Sequence, residues 1–142
     1  MAILERRGVD RRVEPRGGRR TSDRPGRAPR VLVADNYDGT RRPAAEYLSR
    51  YGFDVVEATT AAQTIAVLAE RPPRVLLTGL EDDEADRLYR QVAQAPTLPV
   101  ILLNADARTP PPFAPAAILA KPFHLPAMLR TLRDVLALQA IG

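Results

Sequence analysis

Short apolar runs alternate with amphipathic stretches across residues 30–142, and this alternation limits what the chain can fold into. Each run is rich in Val, Leu, Ile or Ala, as is typical of strands that are buried on both faces of a sheet. The runs are Val31–Ala34, Phe53–Val56, Val75–Leu77, Val100–Leu103 and Ala116–Ala120. Five such strands separated by helices predict an α/β fold, a doubly wound, five-stranded parallel sheet with helices on both faces.

Apolar residues at spacings of three and four predict the helices between these strands. They are a helix over about 40–51, one that ends before Pro72, one that begins with the acidic run 81–84, and one over about 125–139. Pro43 suits only the first turn of a helix, which places the start of the first helix near Thr40. Thr59 or Thr60 is positioned to cap the second helix.

The connection between the fourth and fifth strands contains four prolines within residues 106–115. Proline cannot donate a backbone hydrogen bond and breaks helices, so a regular helix is not expected there. Phe113 is the one large apolar side chain of this segment, and we expect it to anchor the segment against the sheet edge. The predicted order is therefore (βα)5, a flavodoxin-like arrangement in which the fourth helix is shortened or replaced by a Pro-rich loop.

Charge divides the chain into two regions. Residues 1–30 contain ten arginines against four acidic residues, for a net charge of +6, whereas residues 31–142 have a net charge of −2. The first region also lacks Phe, Tyr and Trp, so it cannot bury enough apolar surface to offset the entropy lost on ordering. We expect residues 1–29 to be a disordered Arg-rich tail and residues 30–142 to be the folded domain.

Composition excludes several classes of protein. The chain has no cysteine, which excludes disulfides and thiolate metal sites, and His124 is its only histidine. No metal site, cofactor or catalytic residue is therefore expected. The apolar runs are far shorter than the ~20 residues of a membrane span, and the N-terminus lacks the apolar core of a secretion signal. We expect a cytoplasmic protein that is not an enzyme.

The residues that follow the predicted strands form a candidate site, because open parallel sheets bind ligands beyond the carboxyl ends of their strands. They are Asp35 and Asn36 after the first strand, Gly79 after the third, Asn104 after the fourth and Lys121 after the fifth. Lys121 is the only lysine in the chain.

Five segments of the chain occur in an order and spacing that resemble a signalling family. They are Val31–Asn36, Tyr51–Phe53, Pro73–Leu80, Pro99–Ala105 and Ala120–Phe123. Over residues 30–139 the chain thereby resembles the CheY-like receiver domain of bacterial response regulators. The resemblance implies a phosphorylation pocket at the five candidate positions given above and a conformational switch position at Ile118.

The chain departs from this family at the positions that carry its chemistry. In the family, an aspartate at the end of the third strand accepts a phosphoryl group, and acids after the first strand help to bind Mg²⁺. Here the acceptor position is Gly79, and Asn36 replaces one of the acids. Asn104 replaces a hydroxyl residue, and Ile118 replaces the switch aromatic. The resemblance therefore implies a degenerate receiver, or pseudo-receiver, that lacks the phosphoacceptor aspartate.

Alternatives remain open for the charged residues of this region. Asp35 and Lys121 can form an ion pair in an inert crevice, or they can line a ligand site. The acidic run 81–84 can place a carboxylate such as Asp82 or Asp83 in the pocket, or it can be a solvated helix start.

The tyrosines have different expected roles. Tyr47, Tyr51 and Tyr89 lie at helical spacing on apolar faces, which favours core positions. Tyr37 lies in the loop after the first strand and is better placed to contact a ligand or partner.

The predicted function is that of a receiver-like module in a two-component or phosphorelay pathway. We expect it to act independently of phosphorylation by binding a protein partner, because the chain length leaves no room for an output domain. One alternative is a phosphate-accepting receiver that uses a displaced carboxylate. Another is a nucleic-acid-associated protein, because the arginines of residues 1–29 can bind phosphates of nucleic acid or an anionic surface. The same residues can also be a solvated linker.

Overall fold

The computed structural model describes residues 28–103 and 111–141, without the side chains of residues 140 and 141. The strands are β1 (Arg30–Ala34), β2 (Asp54–Ala58), β3 (Val75–Thr78), β4 (Val100–Leu102) and β5 (Ala117–Ile118). The helices are α1 (Asp38–Arg50), α2 (Ala61–Glu70), α3 (Asp82–Val92) and α4 (Leu125–Ile141). No helix in these described ranges is long and apolar enough to cross a membrane. Asn104 and the predicted tail, apart from Ala28 and Pro29, lie outside the described residues.

The strands form one parallel sheet in the order β2-β1-β3-β4-β5, which confirms the predicted doubly wound fold. The chain passes from β1 to β2 on one side and then crosses to β3 on the other, so the switch point lies between β1 and β3. Ala34 pairs with Thr78 in the last row of that ladder. The residues that follow, Asp35 and Gly79, therefore leave the sheet side by side.

Alternate side chains of the buried strands form two apolar clusters on opposite faces of the sheet. One cluster packs against α1 and α4 and includes Val31, Val33, Val75, Leu77, Ile101, Leu48, Met128 and Leu132. The other packs against α2 and α3 and includes Leu32, Ala34, Leu76, Leu102, Ala61, Leu88 and Val92. β1 and β3 are buried on both faces, so packing on both sides holds the backbone at their carboxyl ends, where the candidate site lies.

Helix α1 begins at Asp38, earlier than the predicted start near Thr40, so Pro43 lies inside the helix rather than in its first turn. Asp38 stabilises this start because its carboxylate lies at the positive end of the helix dipole. The same carboxylate accepts a hydrogen bond from Arg41 at 2.6 Å. Pro43 has no N–H to donate to the Gly39 carbonyl four residues earlier, and the helix continues past this missing bond.

Two side chains cap the N-terminus of α2. Thr60, one of the two predicted candidates, accepts a hydrogen bond at its Oγ1 from the Gln63 N–H at 3.1 Å. Glu84 of α3 reaches across and accepts a hydrogen bond from the Ala61 N–H at 2.7 Å. The start of α2 is thereby tied to α3.

The connection from β4 to β5 contains no helix in its described part, residues 111–116, as the prolines predict. Phe113 packs against the cluster on the α2 and α3 face, and its ring meets the Tyr89 ring edge-on at 5.3 Å between centroids. β5 is shorter than predicted, because only Ala117 and Ile118 pair with β4.

The prediction that Tyr51 is a core residue is wrong, because 48% of the residue is exposed. Helix α1 ends at Arg50, so Tyr51 lies beyond its buried stripe. The Tyr51 ring lies 5.0 Å from the Tyr47 ring, and the Arg133 guanidinium lies 5.6 Å from the Tyr51 ring centroid. The neighbouring Tyr51 hydroxyl, together with burial, raises the pKa of Tyr47 above its ordinary value.

Candidate functional site

Asp35 is the centre of the candidate site and is completely buried after the end of β1. Its Oδ2 accepts a hydrogen bond from Lys121 Nζ at 2.7 Å, and its Oδ1 accepts one from the Tyr37 N–H at 2.9 Å. Lys121 reaches in from the connection between β5 and α4, with 26% of its side chain exposed. The structure therefore contains the ion pair that was one of the two alternatives for these residues.

Gly79 makes room for this ion pair between β1 and β3. The Gly79 N–H donates to the Ala34 carbonyl at 2.8 Å, which extends the ladder past the end of β3. A Cβ atom built at position 79 would overlap Asp35 Oδ2 and would lie 3.0 Å from Asp35 Cγ and 3.1 Å from Lys121 Nζ. The ion pair therefore occupies the space that an acceptor side chain at position 79 would need.

A second cation, Arg41 of α1, is buried beside the site and was missed by the sequence reasoning. Its guanidinium donates to the Asp35 carbonyl, Asp38 Oδ1 and Glu57 Oε1 at 2.9, 2.6 and 2.9 Å respectively. Burial acts to lower the pKa of Arg41, but the hydrogen bonds to Glu57 and Asp38 outweigh it and raise that pKa. In the sequence only the one-turn spacing of Asp38 and Arg41 signals this network, because Glu57 lies on a different element.

Two other predicted positions are exposed. Asn36 faces solvent although it directly follows the buried Asp35. Ile118 is 54% exposed on β5, so the predicted switch position carries an aliphatic side chain at the surface.

Thr78, the last residue of β3, is buried, and its Oγ1 accepts a hydrogen bond from the Leu80 N–H at 3.3 Å. The position of Asn104 lies outside the described residues.

The acidic run 81–84 forms the start of α3. Glu84 accepts the capping hydrogen bond from α2 described above, so its carboxylate has a structural role. Asp82 and Asp83 are exposed in the first turn of α3, as predicted for a solvated helix start. Asp82 has a φ of 56°, a left-handed conformation that is uncommon for residues other than glycine.

The residues present do not fit Mg²⁺, the metal that the family resemblance implies. Mg²⁺ prefers several oxygen ligands, with carboxylates prominent among them. Gly79 supplies none, and the Asp35 carboxylate is bound to the Lys121 ammonium group, which would repel a cation. Across residues 28–103 and 111–141, no group of three or more His, Asp or Glu side chains could hold a metal.

Neither a protein-family model nor a curated protein matches this chain. Solved structures do match it. One is the signal receiver domain of an HD domain-containing protein from Pseudomonas fluorescens Pf-5, with a TM-score of 0.69 and 23% identity, covering 82% of this chain and 100% of that one. Another is a response regulator receiver domain protein from Clostridium thermocellum, with a TM-score of 0.68 and 15% identity, covering 80% and 98%.

The chemotaxis response regulator CheY4 of Vibrio cholerae is also similar, with a TM-score of 0.66 and 19% identity over 76% of this chain and 98% of that one. At these identities the similarity establishes the fold, and it agrees with the parallel strand order. The chain has the doubly wound fold of CheY-like response-regulator receiver domains.

Proposed function

We propose that this chain is a receiver-like signalling module of a two-component or phosphorelay pathway. It acts without accepting a phosphoryl group, as a non-enzymatic cytoplasmic protein that binds a protein partner. The observation that carries this proposal is the Asp35–Lys121 ion pair, which fills the space beside Gly79.

The charged groups beside position 79 are already engaged with one another. An acyl phosphate forms when a carboxylate oxygen attacks phosphorus and the leaving group of the donor departs. The Asp35 carboxylate is fully buried, and both of its oxygens accept hydrogen bonds. Lys121, the side chain that would contact a phosphoryl oxygen, is bound to that same carboxylate. Across the described residues, the crevice therefore lacks a carboxylate that is free to attack phosphorus.

The two alternatives receive less support. Of the carboxylates in the acidic run, Glu84 caps α2, while Asp82 and Asp83 are exposed in the first turn of α3. Within the acidic run, a displaced acceptor would be one of these exposed side chains. Nucleic-acid binding would depend on residues 1–29, of which the structure describes only Ala28 and Pro29.

A receiver fold that accepts no phosphoryl group can still signal by binding a partner protein through its surface. Several large apolar side chains are exposed on the described surface, among them Tyr37 at 64%, Ile118 at 54% and Leu138 at 70%. Tyrosine in particular is enriched among the residues that dominate protein interfaces. These side chains support an interaction role.

Treatment with acetyl phosphate and Mg²⁺, followed by intact mass spectrometry, tests the proposal. We expect no mass increase of one phosphoryl group, and no change in the amide NMR signals of Asp35 or Lys121 when beryllofluoride and Mg²⁺ are added. A phosphorylatable receiver treated in parallel shows that the reagents are active. A stoichiometric, alkali-labile phosphoryl adduct on this chain would contradict the proposal and favour a displaced carboxylate.

A further inference from the structure

A cleft of about 420 Å³ lies between the start of α1 and the connection from β5 to α4. Tyr37, Gly39 and Thr40 form one side, and Lys121 and Phe123 belong to the other. This volume is within the range of about 300–1,000 Å³ that is usual for small-molecule sites in proteins. The cleft adjoins the crevice that holds the Asp35–Lys121 ion pair, and Lys121 belongs to both.

The Tyr37 ring forms one wall of this cleft. A Cβ atom built at Gly39 would lie 2.7 Å from Tyr37 Cζ, so the ring rests directly on the first turn of α1, where only glycine leaves room for it. The backbone of Tyr37 is held as well, because its N–H donates to Asp35 Oδ1 and its carbonyl accepts from the Arg41 N–H at 3.0 Å. With 64% of the residue exposed, the ring is available for stacking.

The second aromatic group, Phe123, also lines the cleft and is partly buried against the cluster on the α1 and α4 face. Two aromatic side chains around one cleft favour a ligand with a planar ring, because aromatic rings attract one another in stacked and edge-to-face arrangements. The other lining groups include Pro43 and Leu125, which extend this apolar surface.

The polar groups of the cleft favour an anion. Lys121 has three N–H donors, and the described residues take only one of them, through Asp35 Oδ2. Thr40 adds a hydroxyl group to the lining. Among the described residues no carboxylate lines the cleft, since Asp35 is completely buried behind Lys121. An anion here would share the Lys121 ammonium group with Asp35 without displacing it.

We propose that this cleft is a binding site for a small molecule that joins a planar aromatic ring to an anionic group. The ring stacks on Tyr37 beside Phe123, and the anionic group accepts hydrogen bonds from Lys121 and the Thr40 hydroxyl. A receiver-like chain with such a site would respond to a metabolite in place of a phosphoryl group.

Indole-3-acetate is a suitable probe, and indole-3-acetamide is its matched neutral analogue. In ¹H–¹⁵N NMR titrations of the full chain, we expect indole-3-acetate to give saturable shifts centred on the amides of Tyr37, Gly39, Thr40, Lys121 and Phe123. The neutral amide should bind about tenfold more weakly, because it loses a charge-assisted hydrogen bond. Acetate alone should produce no comparable shifts, because it lacks the ring.

Tyr37→Ala should weaken the binding of indole-3-acetate about fivefold through the loss of stacking. Tyr51→Ala is the matched control, because Tyr51 is another exposed tyrosine, at 48%, but does not line the cleft. The proposal is overturned if indole-3-acetate gives no saturable shifts, if the shifts centre elsewhere, or if the neutral amide binds equally well. Equal affinity of the Tyr37→Ala variant and the unmodified chain would overturn it too.

Discussion

Asp35 is a fully buried carboxylate, and in the part of the chain that the structure describes Lys121 is the cation that pairs with it. Burial of an unpaired charge is costly, so the pair is held together by the penalty for separating it as well as by attraction. Gly79 is essential to this arrangement because any side chain there would meet both partners. Asp35, Lys121 and Gly79 together therefore close the crevice at the carboxyl ends of β1 and β3.

Lys121→Met should lower the free energy of unfolding by about 3 kcal/mol, because it leaves a buried carboxylate without its partner. Urea denaturation followed by circular dichroism measures this change. Adding Asp35→Asn to the same variant should recover part of the loss, since position 35 then no longer carries an unpaired buried charge.

The matched control for this experiment is Arg87→Met, which removes a more exposed ion pair with Glu84 at 3.9 Å. That substitution should change the free energy of unfolding by less than about 1 kcal/mol. Equal stability of the Lys121→Met variant and the unmodified chain would show that the ion pair does not hold the crevice closed.

Arg41 connects three elements, because it is part of α1 and binds both the carbonyl after β1 and Glu57 on β2. Its hydrogen bonds hold the loop between β1 and α1, and with it the Asp35 carboxylate and the Tyr37 ring. The network therefore links the buried crevice to the exposed cleft at the level of secondary-structure elements.

Arg41→Met should lower the free energy of unfolding by about 1.5 kcal/mol, because the buried Asp35 carbonyl loses its donor while the Asp38 and Glu57 carboxylates, 69% and 42% exposed, regain water. The neighbouring residue offers a direct control, since Arg42 is exposed and Arg42→Met should change stability by less than about 0.5 kcal/mol. Thermal and urea denaturation of both variants measure the difference. Similar losses in the two variants would show that the Arg41 network adds nothing beyond helix propensity.

Phe113 anchors the described part of the connection between β4 and β5 through its contacts with Tyr89 and the cluster on that face. Phe113→Ala should lower the free energy of unfolding by about 2 kcal/mol, less than for a fully buried ring because Phe113 is only partly buried. Leu138→Ala, at a position 70% exposed, should have little effect in the same urea denaturation experiment. A Phe113→Ala variant as stable as the Leu138→Ala variant would mean that this connection is not anchored by its aromatic residue.

At the scale of the whole molecule, positive charge is concentrated at one end of the chain. Residues 1–30 have a net charge of +6 and residues 31–142 a net charge of −2. Pro29 is already tied to the domain, because its carbonyl accepts a hydrogen bond from the Asp54 N–H at 2.9 Å. A deletion that tests the tail should therefore stop at residue 27.

Deletion of residues 1–27 should change the free energy of unfolding by less than about 1 kcal/mol, because it keeps Pro29 and every strand and helix of the sheet domain. The deletion should also abolish any salt-sensitive binding to duplex DNA, measured by fluorescence anisotropy at low and high salt, since it removes the arginine excess. Binding that survives the deletion would place a basic surface on the domain itself. A deletion that unfolds the chain would move the domain boundary toward the N-terminus.

The sequence by itself determined the order of strands and helices along the chain, the parallel sheet and the presence of glycine at position 79. Each of these depends on local pattern: apolar runs predict buried strands, spacings of three and four predict helices, and prolines exclude them. Local signals also located Asp35 directly after β1, whereas Lys121 lies three residues beyond β5, because that strand is shorter than its apolar run. The start of α1 differs from the predicted one because the helix begins at Asp38 and continues through Pro43, whereas the prediction required Pro43 in the first turn.

Only the tertiary structure decided which groups meet. Lys121 is 86 residues from Asp35 and Arg41 is 16 residues from Glu57, so no local pattern reports either contact. The exposure of Tyr51 and the position of Phe113 against Tyr89 likewise depend on where helices end and how they pack. Whether a charge at a strand end binds a ligand or a neighbouring charge is set by distances of a few ångströms across the sheet edge, which arise only when the strands pair.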